Sequence, residues 1–333
     1  MSADQATTPR SGEELDVEAL GRWLGSAVTV EQFPGGHSNL TYLVQAGDAE
    51  YVLRRPPAGP VPPKAHDMAR EFRFLQAVYP HFPLAPRPIA LCEDLTVLGC
   101  VFFLMERRRG RIVRTEPPEV ELRGSLSRAF VGTLARLHLV DAQLPELTVL
   151  GRPSGFLERQ VKGWRDRWLG AHPEQSPEFD RILRWLTERV PANSEIAIVH
   201  NDYKLDNLMF DEREPERVAA VLDWEMATIG DPLLDVGVAL SYWCHAAPMG
   251  LITTQPGWWS RDELVQAYTL RMGREPAGLL WYEVFGLFKL AVIVQQIYAR
   301  WQRGQTADAR FRRFGEIGDE LGHTAARLLE HSF

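Results

Sequence analysis

The distribution of apolar residues changes once along the chain, and that change constrains the fold more than any other feature of the sequence. Up to about residue 105 they come in short β-branched or aromatic runs: Ala27-Val28-Thr29-Val30, Thr41-Tyr42-Leu43-Val44 and Tyr51-Val52-Leu53-Arg54. Turn material (Pro34-Gly35-Gly36, Gly47-Asp48) separates these runs, as an antiparallel meander requires. Further strands are predicted near residues 89–92 and 101–105. Beyond Gly110 the spacing becomes helical, with Leu126, Phe130, Leu134 and Leu137 on one stripe and further stripes over 164–169, 182–190, 264–272 and 278–300. One β-rich patch, 196–222, interrupts them. Such a chain is predicted to be α+β and two-lobed, with a small antiparallel β-rich lobe over 15–106 and a larger helical lobe over 107–333, joined near Met105 to Arg109.

Composition removes several function classes. The 333 residues are 45% hydrophobic and 24% charged, which argues against disordered, collagenous and disulfide-scaffold chains. A net charge of −7 argues against a nucleic-acid partner held by bulk charge. Three cysteines without a CxxC predict a reducing, cytoplasmic setting. Residues 1–14 are polar, so a loose tail is expected rather than a signal peptide. The most apolar stretch, 278–298, carries Glu283, Lys289, Gln295 and Gln296 and is predicted to be a buried helix, so no membrane partner is expected. Oligomeric state has no signal.

No GxxxxGK[ST], HExxH, GxSxG or GxGxxG occurs. Chemistry concentrates instead in Val199-His200-Asn201-Asp202-Tyr203-Lys204-Leu205-Asp206-Asn207-Leu208-Met209-Phe210, followed by a charged turn and Val218-Ala219-Ala220-Val221-Leu222-Asp223-Trp224-Glu225. The two apolar runs predict a hairpin, with Asn207 before its first strand and Asp223 after its second. Pairing would bring Asn207, Asp223 and Asp202 to one open end. Oxygen donors of this kind and number suit Mg²⁺, which completes its octahedron with water and phosphate oxygens. Singly, each residue is as well explained by turn formation; His200 is predicted to be structural.

His200-x-Asp202-x-Lys204-x-x-Asn207 resembles the catalytic loop of the protein-kinase-like fold, and Asp223 resembles its metal-binding aspartate. Asn201 and Trp224-Glu225 depart from true protein kinases and resemble the aminoglycoside phosphotransferase and choline kinase branch. The fuller string (Pro34-Gly35-Gly36-His37-Ser38-Asn39, Met105-Glu106-Arg107, Asp223-Trp224-Glu225 and Gly230-Asp231-Pro232 with Asp235) is similar to the kinase-like domain fused ahead of acyl-CoA dehydrogenase domains in family members ten and eleven. The resemblance spans about residues 20 to 330. No dehydrogenase domain follows here, so a coupled second reaction is not expected in cis.

The resemblance implies a protein-kinase-like fold and γ-phosphoryl transfer from ATP, with Mg²⁺, to a hydroxyl of a small molecule. It makes Asp202 and Lys204 catalytic and Asn207 and Asp223 the metal ligands. Gly35, Gly36, Ser38 and Asn39 would cover the phosphates. Arg54, in the place of the kinase strand lysine, would hold the inner phosphates with Glu71 as its partner. Glu71 follows Met68 by three and precedes Leu75 by four on the inward face of a helix over 65–79. The backbone of Met105, Glu106 and Arg107 would read the adenine edge, and Asp235 would prop the catalytic loop through backbone N–H groups.

The acceptor stays open. Arg107, Arg108, Arg109, Arg111 and Arg114 form either a solvated basic face or a funnel for an anionic acceptor such as a hydroxyacyl coenzyme A thioester. Trp243, Trp258-Trp259 and Trp281-Tyr282 form either core or the wall of an acceptor pocket. A choline-like, sugar or aminoglycoside acceptor is the alternative, as is a nucleotide-binding pseudoenzyme that docks a partner.

Overall fold

The computed structural model describes residues 5–34, 39–57, 66–172, 176–192, 195–246, 249–304 and 309–330. Gly35, Gly36 and Ser38 of the glycine-rich turn lie outside these residues, as does most of the proline-rich segment that follows Arg55. Two compact units result: residues 1–112 with 208–227, and residues 113–207 with 228–333. The expected boundary after residue 106 thus falls at 112, and the predicted hairpin groups with the first unit rather than the helical one.

The first unit begins with helix α1 (Val17–Leu24), started by the Asp16 carboxylate on the Ala19 N–H and stopped by Gly25 in the left-handed region. Strands β1 (Val28–Gln32), β2 (Leu40–Ala46), β3 (Ala49–Arg55), β4 (Pro88–Cys92) and β5 (Phe102–Glu106) form one antiparallel sheet in the order β1-β2-β3-β5-β4. Gly47, at φ 58°, makes the two-residue turn that sets Ala46 opposite Ala49. Helix α2 (Met68–Val78), capped by Asp67, occupies the segment predicted as helical. The short helix α3 (Leu95–Leu98) precedes β5, and β6 (Arg111–Ile112) pairs with β8 (Leu208–Phe210), which pairs with β9 (Val218–Val221).

The central sheet is apolar on both faces. Leu53, Phe102 and Leu104 pack with Leu20, Tyr42 and Val44, while the neighbouring Phe103 meets Phe72 of α2. That is why Val52, Leu53 and Arg54 are buried in succession instead of alternating with solvent. The tail expected over residues 1–14 is held in place at Thr7 and Glu13. Thr7 and Gln32 exchange both backbone hydrogen bonds at 2.9 and 2.6 Å, and the Tyr42 hydroxyl donates to the Glu13 carbonyl.

The second unit contains α4 (Val120–His138), α5 (Pro145–Thr148), α6 (Phe156–Ala171), α7 (Pro177–Glu188), α8 (Leu233–Leu240), α9 (Arg261–Met272), α10 (Leu279–Gln302) and α11 (Phe314–Glu330). Strands β7 (Ala197–Val199) and β10 (Thr228–Gly230) pair antiparallel among them. The helix α10 is long and apolar enough to cross a membrane, yet most of it is buried against this unit's own helices, as Glu283, Lys289, Gln295 and Gln296 predict. Helix α8 crosses it closely because Gly237 and Gly286 leave no room for a Cβ: the one would meet the Tyr282 carbonyl, the other the Ser241 hydroxyl and the Gly237 backbone. This crossing sets Asp235 of α8 and Lys289 of α10 under the loop that carries Asp202.

Candidate active site

In the second unit, the segment after β7 is fixed from below. Both oxygens of Asp235, which is wholly buried, accept backbone N–H groups at 2.6 Å, one from His200 and one from Asn201. The Asp235 carboxylate also lies 3.3 Å from His138 Nε2, whose Nδ1 meets the Tyr268 hydroxyl at 2.8 Å. The prop expected of Asp235 is therefore present, and His200 is buried as predicted. Asn201 sits at φ +65°, a left-handed conformation that Asn tolerates better than most residues.

The turn presents Asp202, Lys204 and Asn207 together. Lys204 Nζ is 3.0 Å from Asp202 Oδ2, and the Asn207 amide donates to both Asp202 O (2.9 Å) and Oδ2 (3.0 Å). The Tyr242 hydroxyl approaches Oδ1 at 3.4 Å, and the Lys204 ammonium lies over the Tyr242 ring. Burial works to raise the Asp202 pKa, but Lys204 and then Lys289 outweigh it and hold the carboxyl below its usual range. Burial lowers the Lys204 ammonium and Asp202 more than offsets it, so the pair is charged. Because the Asn207 nitrogen is spent on Asp202, its amide oxygen, the atom a hard cation takes, is turned away from that contact.

In the first unit, Arg54 is the centre of a carboxylate cluster. Its Nε lies 3.3 Å from Glu71, its Nη2 3.0 Å from Asp223 and 3.8 Å from Glu225. The predicted Arg54–Glu71 pair is thus formed, both side chains being buried. Burial pushes the Glu71 carboxyl up to about 7, Arg54 pulling against it. Asp223 follows β9 at φ +65°, so both candidate loops carry a left-handed Asn or Asp. The Arg70 guanidinium donates to the Glu225 and Ala227 carbonyls, tying this segment to α2.

Other expected contacts take different partners. Asn39 is 1% exposed; its Nδ2 donates to Glu225 Oε2 at 2.7 Å and its Oδ1 meets His66 Nδ1 at 2.8 Å, so its amide is committed inside the unit rather than held ready for phosphate. The Glu106 N–H donates to the Arg87 carbonyl, so of the three residues expected to face adenine (Met105, Glu106 and Arg107) this backbone donor is committed within the unit. Arg107 and Arg109 both pair with Glu50, Arg108 with Glu106, and Arg114 lies 4.0 Å from Asp206, so four of the five arginines have acidic partners within their own unit. That disposes them as internal ion pairs, not as a funnel. Trp243, Trp258, Trp281 and Tyr282 are core: Trp243 packs on Phe130 and Trp258, and Trp281 stacks on Phe285.

Glu225, Tyr242 and Lys289 were not foreseen as site residues. Glu225 had a signal, since it follows Asp223 by two. Tyr242 had none, because its position depends on a π-helical turn over Ser241–His245.

Similarity to known proteins agrees with this geometry. Residues 29–269 match the phosphotransferase enzyme family. The chain is 34% identical over 323 residues to human acyl-CoA dehydrogenase family member 11, covering 92% of this chain and 41% of that protein. It therefore spans well under half the length of this curated relative. A solved structure from Ralstonia eutropha, assigned as an aminoglycoside phosphotransferase, superposes with a TM-score of 0.81 at 30% identity, covering 96% of this chain and 99% of that one. A thermostable mutant of aminoglycoside phosphotransferase APH(4)-Ia, in a ternary complex with AMP-PNP and hygromycin B, shares the fold at a TM-score of 0.57 and 18% identity, over 92% of this chain and 97% of that one. Family match, relatives and kinase-like α+β fold agree: the chain belongs to the phosphotransferase enzyme family.

Proposed function

We propose that the chain is an ATP- and Mg²⁺-dependent phosphotransferase that moves the γ-phosphoryl group to a hydroxyl of a small molecule. The observation that carries this reading is the cluster of Asp202, Lys204 and Asn207, with Lys204 and Asn207 both on one Asp202 oxygen. A partner-docking scaffold has no need of that set.

Asp202 would accept a hydrogen bond from the acceptor hydroxyl and orient its oxygen for in-line attack. Its carboxyl, held below the usual range by Lys204, is a weak base for an alcohol, so orientation is its larger task, with the proton taken late in a loose transition state. Lys204 would exchange part of its contact with Asp202 for the charge developing on the transferred group. Arg54 would hold the inner phosphates. Asn207, through its amide oxygen, and Asp223 would hold Mg²⁺, which when bound neutralises phosphate charge.

For the acceptor, we favour a hydroxylated metabolite of the hydroxyacyl-thioester kind. Support comes from the similarity to acyl-CoA dehydrogenase family member 11 over 92% of the chain. The ATP reading draws on the AMP-PNP bound by the APH(4)-Ia relative.

A ³¹P NMR screen with ATP and Mg²⁺ over hydroxylated metabolites, hydroxyacyl thioesters included, tests this reading. Asp202→Ala is the blank, expected to lose roughly 10²–10⁴ in rate while keeping its nucleotide affinity. A phosphorylated product formed only by the wild type supports the function and names the acceptor. ATP left intact across the panel, or equal product from the blank, overturns it.

A further inference from the structure

Helix α10 presents one buried cation to the loop. Lys289, 1% exposed, donates from Nζ to the Asn201 carbonyl and, at 2.9 Å, to Asn201 Oδ1. The same ammonium lies 5.3 Å from the centre of the Trp164 ring of α6. Burying an ammonium is costly unless its donors are used, and here two oxygens of one residue and an aromatic face use them. The residue they hold is the left-handed Asn201, one position before Asp202. Asp235 grips the Asn201 N–H from one side and Lys289 grips its carbonyl and side chain from the other. The peptide that launches Asp202 is thereby fixed at both ends.

We propose that Lys289 is a positioning residue for phosphoryl transfer: it locks the Asn201 turn and so aims Asp202, without touching nucleotide or acceptor. The inference rests on the phosphotransferase reading for its kinetic test, though not for its structural one. A buried packing residue would need no charge, and an Ala or Met would fill the space more cheaply.

The groups facing the ammonium are Asp202 and Lys204 of the loop, Asp235 of α8 and Arg167 of α6. Burial pulls Lys289 down to about 8, with the two aspartates pulling it up and the two cations pulling it down. Above that pH its bonds to Asn201 lose their charge assistance, and charge-assisted bonds are roughly twice as strong as neutral ones. Turnover should fall along an alkaline limb set by this remote group.

The test compares the full chain with Lys289→Met, Lys289→Arg and Asn201→Gly, each checked by circular dichroism and thermal melting. In the phosphotransfer assay, Lys289→Met should lower kcat at least about tenfold while KM for ATP stays within about twofold. Lys289→Arg should restore much of kcat and remove the alkaline limb, since guanidinium does not titrate in this range. Amide hydrogen exchange reads the same lock without turnover. The Asn201 and Asp202 amides should exchange about tenfold faster or more in Lys289→Met, with β7 unchanged, and Asn201→Gly, which keeps the turn but loses the Oδ1 acceptor, should fall between. Unchanged kcat together with unchanged exchange overturns the proposal. A wild type that never turns over, yet shows the exchange difference, overturns the phosphotransferase reading alone. Should Lys289→Met fail to fold, Asn201→Gly decides: exchange at Asp202 like the wild type overturns the lock.

Discussion

Arg54 Nη2 lies 3.0 Å from Asp223 Oδ1, so the strand arginine and the proposed metal ligand share an ion pair. The same guanidinium reaches Glu71 through Nε. One planar fork therefore links β3, α2 and the segment after β9. A lysine ammonium is a single point and cannot serve Glu71 and Asp223 in that geometry. Arg54→Lys should lose one charge-assisted bond, about 1.5–3 kcal/mol, read as a lower midpoint in urea with an unchanged slope. A midpoint equal to the wild type would show the fork to be dispensable.

Asp223 combines a left-handed backbone with a charge, and two substitutions separate them. Asn tolerates φ +65° and removes only the charge, whereas Ala also opposes the conformation. Asp223→Asn should keep the turn, weaken the ion pair with Arg54 and lose the Mg²⁺ dependence of ATP binding in titration calorimetry. Asp223→Ala should do the same and lose about 1–2 kcal/mol of stability as well. Wild-type Mg²⁺ dependence in both variants would remove Asp223 from the metal site.

Glu71 makes stability depend on pH with a defined sign. Its carboxyl is pushed up by burial from 4.5 to about 7 in the folded protein, so between those values the native state binds the proton that the unfolded chain releases. The contribution is complete below pH 4.5 and is lost as pH rises through 7, up to about 3 kcal/mol. Glu71→Gln should flatten that slope. Melting temperatures at pH 5 and 7.5 should converge in the variant relative to the wild type; parallel profiles would place the titration elsewhere.

Much of this could be seen in the chain beforehand. The hairpin around Asn207 and Asp223, the Arg54–Glu71 pair and the prop at Asp235 each follow from local pattern: strand pairing, helical spacing or position at a helix start. What stayed hidden depends on tertiary packing. Strands as short as β6 and β10 carry no periodicity to detect. Asn39 is bonded inward because Glu225 lies beside it, 186 positions away in sequence. Lys289 is one of several polar residues in an apolar helix, and only the Gly237–Gly286 crossing shows why it is there. The arginine run stays open in sequence, because charge composition does not reveal that Glu50 and Glu106 pair with Arg107, Arg108 and Arg109.

Asp235 offers the largest stability effect among these residues. Its two oxygens accept the His200 and Asn201 N–H groups at 2.6 Å in a wholly buried site. Removing the carboxylate orphans both donors and the His138 contact. Each buried unsatisfied group costs roughly 1–3 kcal/mol, so Asp235→Ala should lose about 2–6 kcal/mol. Asp235→Asn, which keeps one acceptor oxygen but sets an NH₂ against the other N–H, should fall between Ala and the wild type. Urea denaturation followed by tryptophan fluorescence measures the series. A loss under about 1 kcal/mol for Asp235→Ala would mean that the loop finds other acceptors and that the prop does not hold it.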